Sequence, residues 1–370
     1  MDQTHKALIQ DKSGQLAARL IPTPQPTDDQ LLISITSLGI CGTDLQILRK
    51  ARGDSAGVLG HEGIGVITEV GKNITKFQRN QLVVFNPVNP NKQEEILGHS
   101  FDGIFQEKYI VNSFQIEWGL IQPLAHELLV EVAPLIEPLG TVIYGQSLVD
   151  QVCHQKTVVV VGAGAIGLAH VLYAINRGTK VFLVDSFQEK LDWVIKQKIL
   201  KPEECFLDTE NLISEIMRKT DGKGADAVYL CIPRESAKKV LIKSLWYVKD
   251  SGCIDLVGGF KDGDEIQELP FLDLNSIRRS NICGLPSTGF VKKAILRNGK
   301  TIFLTGHRGT SKKILNRAVE ILDKKPKYFM QLITHVFTLN DAVDFLNKYL
   351  AGSLSKEEKS SYVKGIIILT

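Results

Sequence analysis

Residues 156–185 read KTVVVVGAGAIGLAHVLYAINRGTKVFLVD, and this stretch decides the fold. The β-branched run Thr157 to Val161 enters a turn built on Gly162, Gly164 and Gly167. LAHVLYAINRG then continues as an amphipathic helix, and VFLVD forms a second strand ending at Asp185. Strand, glycine turn, helix and strand in this order are the unit from which a parallel sheet is wound. The first glycine permits a tight turn, the second lets the backbone approach a pyrophosphate, and the third lets helix and strand pack. Ala165 and Ile166 open the helix, whose free N–H groups and positive dipole end face the same point. Phosphate binding is the physical consequence.

Asp185 follows Gly167 by 18 residues, where a carboxylate accepts hydrogen bonds from the adenosine ribose hydroxyls. The same carboxylate repels a ribose 2'-phosphate, and the next residues, Ser186 and Phe187, offer no arginine to attract one. The turn and Asp185 together predict NAD in preference to NADP.

Downstream the alternation repeats. EKLDWVIKQK reads as a helix, DAVYLCI as a strand, ESAKKVLIKSLWYV as a helix and GCIDLVGGF as a strand, which makes residues 147–286 a doubly wound α/β domain. Upstream, from Lys6 to about Val111, short alternating segments such as LLISITSLGI, GIGVITEVG and QLVVFNPV are broken by Gly, Pro and Asn, the texture of a β-rich domain. The C-terminal part adds a helix SKKILNRAVEILDKK, a strand QLITHVFTL, a helix LNDAVDFLNKYLAG and the apolar strand VKGIIILT. That last strand is expected to return to the β-rich domain, giving a discontinuous domain of residues 1–146 and 287–370. KEEKSSYVKG reads as a solvated loop.

Composition narrows the function classes. Of 370 residues 44% are apolar, more than one core usually serves, and 44 basic against 41 acidic residues leave a net charge of +3. This balance gives no footprint for nucleic acid or an anionic membrane surface. No segment is apolar enough to span a bilayer and the N-terminus has no leader pattern, so a cytoplasmic address and a small-molecule partner are expected. The six cysteines, at 41, 153, 205, 231, 253 and 283, form no close pairs and suggest reduced thiols.

Cys41 lies in SLGICGTDLQ, and 20 residues later GHEGIGVITEVG places His61 beside Glu62. Thiolate, imidazole and carboxylate are a ligand mix that zinc accepts. Taken singly, each has an ordinary explanation as a buried thiol, a satisfied histidine or a solvent-facing acid.

The wording of the motifs goes further. Cys41-Gly-Thr43-Asp44, GHEGIGVITEVG, DGIFQEKYIV, IEPLG, VVVVGAGAIG and VKGIIIL together resemble the zinc-dependent branch of the medium-chain dehydrogenase/reductase family, which includes alcohol, sorbitol, threonine and glucose dehydrogenases. The resemblance implies a Rossmann NAD-binding domain joined to a β-rich GroES-like catalytic domain, with one catalytic zinc in the cleft between them. It assigns Cys41 and His61 as metal ligands and Glu62 and Glu137 as carboxylates that ligate the ion or bond its water. It also assigns Thr43 to the substrate oxygen and proton relay, Asp44 to orienting the ligand histidine, and Lys364 to the neighbourhood of the cofactor phosphates.

Two departures limit what carries over. NPVNPNKQEEILGHSFD, residues 86–102, has no cysteine where relatives carry a four-cysteine lobe, so a structural zinc is expected to be absent. Gln46 stands where several relatives place a titrating histidine. The implied substrate is a secondary alcohol, polyol, sugar or cyclitol, or the corresponding carbonyl, and the implied assembly is a homodimer or homotetramer, with IRRSNICGL a segment that could pair copies. The rival readings are a zinc-independent enoyl or quinone reductase on the same fold, which lacks these ligands, and a non-catalytic NAD-binding protein. His307 and Arg308 read as a surface loop before a helix, His99 and Ser100 as residues lining the cleft on slender grounds, and His126, His154, His170 and His335 as structural.

Overall fold

The computed structural model describes residues 4–124, 127–285 and 291–369. His126 and the expected domain boundary at 286/287 lie outside them. The chain divides into two compact units, Met1–Gly140 with Gly309–Thr370 and, between them in sequence, Thr141–Arg308.

The unit Thr141–Arg308 is built on a seven-stranded sheet in the order Cys205–Leu207, Lys180–Asp185, Thr157–Val161, Ala225–Leu230, Val248–Asp255, Thr301–Thr305, Lys292–Ile295. All pairings are parallel except the last. Val158, Val159 and Val160 are fully buried, which is why this strand reads as a continuous apolar run and not as an alternation. Strand order reverses beside Thr157–Val161, so the turn that follows it opens at the switch point where doubly wound sheets bind ligands. Thr301–Thr305 and Lys292–Ile295 belong to this sheet, although sequence reading placed everything after residue 286 with the β-rich domain. Ile302 and Leu304 explain the difference: both are fully buried beside Gly252 and Ile254 of the neighbouring strand, so the short run IFLT completes this core.

The other unit carries a sheet in the order Ile333–Phe337, Lys364–Ile368, Gln30–Gly39, Glu62–Val70, Leu82–Phe85, Ile121–Pro123, with Lys108–Asn112 also paired to Gln30–Gly39. Leu31, Ile33, Leu38, Ile67, Phe85 and Ile367 lie in its core. The final strand pairs antiparallel with Gln30–Gly39, as expected, and it also finds a parallel partner in Ile333–Phe337, close in its own segment. KEEKSSYVKG is not a loop throughout. Lys356–Ser361 is a short exposed helix whose capping box, Ser355 with Glu358, is the S-x-x-E pattern. A second short helix is Gly42–Leu48. Among the described residues no helix is long and apolar enough to cross a membrane, and none of the six cysteines is in a disulfide.

Candidate metal centre and dinucleotide turn

Cys41 sits two residues past the end of the strand Gln30–Gly39 and caps the helix Gly42–Leu48. The Asp44 carboxylate, at the third position of that helix, accepts a hydrogen bond from the Cys41 amide at 2.8 Å, and this closure fixes where the thiol stands. Thr43 Oγ1 is 3.6 Å from Cys41 Sγ. His61 and Glu62 open the strand Glu62–Val70, which runs antiparallel to Gln30–Gly39 with Glu62 opposite Gly39. The register therefore brings Cys41, His61 and Glu62 together, with one ligand atom of each within 4.8 Å of the others. Glu137, half-buried at the start of the helix Ile136–Val149, is in none of the metal-capable groups among the described residues.

Electrostatics bind this cluster. Asp44 Oδ1 lies 3.5 Å from His61 Nδ1, and both side chains are buried. Burial works against the charge on Asp44, but His61 and the Cys41 amide outweigh it and hold the carboxyl below its usual range. Burial likewise disfavours an imidazolium, yet Asp44 and Cys41 raise His61 well above its ordinary value.

Lys364 belongs here as well. Its ammonium was expected near the cofactor phosphates; instead it is 2% exposed, donates to the Ile40 carbonyl at 3.0 Å and forms a very short ion pair with Glu62. Burial opposes its charge, and Glu62 and Cys41 restore it, raising its pKa. Gly39 leaves the space for this pair, since a Cβ there would stand 2.6 Å from Glu62 Oε2 and 2.9 Å from Lys364 Cε. Three acidic groups, Cys41, Asp44 and Glu62, surround His61 and Lys364, and they bring a sulfur, a ring nitrogen and a carboxylate oxygen together. Such a donor set fits Zn²⁺.

The dinucleotide turn is made almost wholly of main chain. Gly162 has φ +108°, and its N–H donates to Val184 at 2.7 Å. A Cβ on Gly167 would collide with the Gly162 carbonyl, whereas one on Gly164, the N-cap of Ala165–Asn176, would meet nothing within 4 Å. The turn is thus tight where strand meets helix and open where a ligand would approach. Ala165 and Ile166, partly exposed, begin the helix with N–H groups that lack intrahelical acceptors. Asp185, 7% exposed, accepts from the Ala163 amide at 2.7 Å and from the Phe187 amide at 2.9 Å. Its two oxygens are held in place with lone pairs to spare.

Residues 27–117 match the alcohol dehydrogenase GroES-like domain. The chain is 27% identical over 289 residues to alcohol dehydrogenase 1 of Caenorhabditis elegans, spanning 71% of this chain and 78% of that one. It is 25% identical over 269 residues to the sorbitol dehydrogenase of Bombyx mori, spanning 68% and 75%. The chain is similar to zinc-type medium-chain alcohol and polyol dehydrogenases. Its fold is also that of galactitol-1-phosphate dehydrogenase from Escherichia coli, with a TM-score of 0.73, 18% identity and coverage of 98% and 100% of the two chains.

The two departures read from the sequence take defined places in the fold. Gln46 is half-buried in the helix Gly42–Leu48. The cysteine-free stretch 86–102 folds through isolated bridges, Val88 with Ile96 and Leu97 with Phe101. It delivers His99, buried with its ring perpendicular to that of His61 and 4.9 Å away, whereas Ser100 is exposed and uses its hydroxyl on the Ile96 backbone. No local pattern around GHSF could have announced that contact, which only the tertiary fold creates. His307 is not on the surface: it is buried, with Nε2 3.6 Å from Asp255 Oδ2 and its ring edge-on to Tyr144. His170 is buried against Tyr229, His335 packs among Phe337, Phe345 and Tyr362, and His154 is exposed and so carries no packing role.

Proposed function

We propose that this chain is a zinc-dependent dehydrogenase that moves hydride between a secondary alcohol, polyol, sugar or cyclitol and NAD. In this reading Met1–Gly140 with Gly309–Thr370 is the catalytic domain, Thr141–Arg308 is the NAD-binding domain, and the enzyme works in the cytoplasm as a homodimer or homotetramer. The observation that carries it is the convergence of Cys41, His61 and Glu62 into a donor set that zinc accepts.

Cys41 and His61 hold the ion, and a carboxylate completes the set: Glu62 through the oxygen that Lys364 does not take, or Glu137. When bound there, zinc supplies Lewis acidity at an open coordination position, which acidifies a substrate hydroxyl and polarises a carbonyl in the reverse direction. Thr43 Oγ1, beside the Cys41 sulfur, receives the hydroxyl proton. Gln46 does not titrate, so the proton leaves Thr43 by another route, through water or Glu137. The amides from Gly162 to Gly167 hold the pyrophosphate, and Asp185 accepts from the ribose hydroxyls and excludes a 2'-phosphate.

The test is an NAD-coupled screen of secondary alcohols, polyols and cyclitols on protein whose zinc is quantified in the same preparation. NADH formation with one zinc per chain is the expected result. Full activity in zinc-free protein, or a preference for NADP in steady-state kinetics, would overturn the corresponding half of the reading.

A further inference from the structure

We infer that His99 is a positioning residue for the metal centre, holding the His61 imidazole in the plane from which its free nitrogen meets Cys41 and Glu62. This rests on the zinc reading above. On its Nδ1 side His61 faces Asp44, and at 3.5 Å that contact is too long to fix the ring by itself. The second restraint is His99, whose ring stands at 89° to His61 with centroids 4.9 Å apart, an edge-on arrangement that aromatic rings favour.

His99 is itself held firmly. Its carbonyl accepts hydrogen bonds from both Ser55 and Ala56, at 3.0 and 2.9 Å, and its amide donates to Ile96 at 3.1 Å. Its Nδ1 faces Asp54 at 3.8 Å, and Asp54 is in turn clamped by Arg52 at 2.7 Å. Neither ring nitrogen of His99 has a hydrogen bond, although the side chain is only 9% exposed. The ring therefore acts through its shape and not through a hydrogen bond. What it supplies is a rigid ring against a metal ligand, delivered by the stretch 86–102.

The test compares His99→Ala, which removes the ring, with His99→Phe, which keeps a ring and removes the nitrogens. Zinc affinity is read by chelator competition, and the ligand field by the visible spectrum of the cobalt-substituted protein. Both are measured on the full chain after near-ultraviolet circular dichroism confirms folding. His99→Ala is expected to lose 10- to 100-fold in zinc affinity, roughly the range for groups that orient metal ligands, and to shift the cobalt bands. His99→Phe is expected to retain both within about threefold on the same scale. Unchanged affinity and spectrum in His99→Ala would overturn the inference. So would equal losses in both variants, which would assign the effect to the nitrogens. Should His99→Ala not fold, His99→Phe decides alone: wild-type affinity and spectrum uphold the role of the ring, and their loss overturns it. Failure of the unmodified chain to bind zinc would instead defeat the proposed function.

Discussion

The dinucleotide turn and the metal cluster differ in how far along the chain their parts are drawn. Gly162, Gly164, Gly167 and Asp185 lie within two consecutive strands and the helix between them, and their contacts are mostly main chain: the Gly162 amide on Val184, the Ala163 amide on Asp185. The metal cluster draws Cys41 and His61 from two different strands at the end where their pairing brings Gly39 opposite Glu62, and its Lys364 comes from 302 residues beyond Glu62. One site is a property of a local unit, the other of the completed sheet. Chemistry in the second is therefore expected to be lost without loss of the first, and the largest predicted effect tests that separation. Cys41→Ala should abolish turnover and zinc content together while leaving NADH binding, followed by quenching of protein fluorescence, unchanged. A Cys41→Ala protein that still turns over without zinc would break the comparison at its root.

The converse experiment is Gly167→Val. A side chain at this position meets the Gly162 carbonyl, so either the turn opens or the helix withdraws. Strain of this kind costs about 1–3 kcal/mol, and NADH affinity should fall by roughly 10- to 100-fold on that scale. Zinc content should stay at the wild-type level, because every group in the metal cluster lies in the other unit. Loss of zinc in this variant would show that the two sites depend on each other for folding.

A smaller effect is expected at Asp185. Asp185→Asn keeps the shape and an acceptor for one of the two amides but removes the charge. Hydrogen bonds to charged groups contribute about 1.5–3 kcal/mol, of which the amide keeps part, so the Michaelis constant for NAD should rise by about tenfold while that for NADP falls. An unchanged ratio between the two cofactors would mean that Asp185 serves the turn alone, through Ala163 and Phe187.

The same local and non-local contrast explains what could be read from sequence. TVVVVGAGAIG and VFLVD determine their own structure, because periodicity and glycine spacing act over a few residues. Cys41, His61 and Glu62 are individually ordinary, and only the resemblance of their motifs joined them before the register of Gln30–Gly39 with Glu62–Val70 supplied the physical reason. Lys364 was assigned to the wrong neighbour for the same cause: VKGIIIL says that a strand is present but not which carboxylate its lysine meets. His99 and the burial of His307 had no local signal, since each depends on a loop closing over side chains distant in sequence. Thr301–Thr305 was misplaced because a five-residue apolar run fits the edge of either sheet, and packing against Val248–Asp255 chose one.

Acid stability offers the finest test. His170 is fully buried in the helix that follows the glycine turn, and burial, aided by His307 nearby, lowers its pKa to about 3. An unfolded histidine takes up a proton near pH 6.5, so between that pH and about 3 the unfolded state binds one proton more than the folded state at this position. The contribution of His170 is therefore fully present above pH 6.5 and is lost progressively as the pH falls. The loss approaches about 1.4 kcal/mol per pH unit once the unfolded histidine is protonated. Replacing His170 by Gln, which is neutral throughout, should flatten the fall in melting temperature between pH 6.5 and 5, even if the variant is less stable at pH 8. A slope equal to that of the unmodified chain would mean that acid sensitivity arises elsewhere. A flatter slope together with unchanged zinc content would place it in the nucleotide-binding unit, separate from the metal centre.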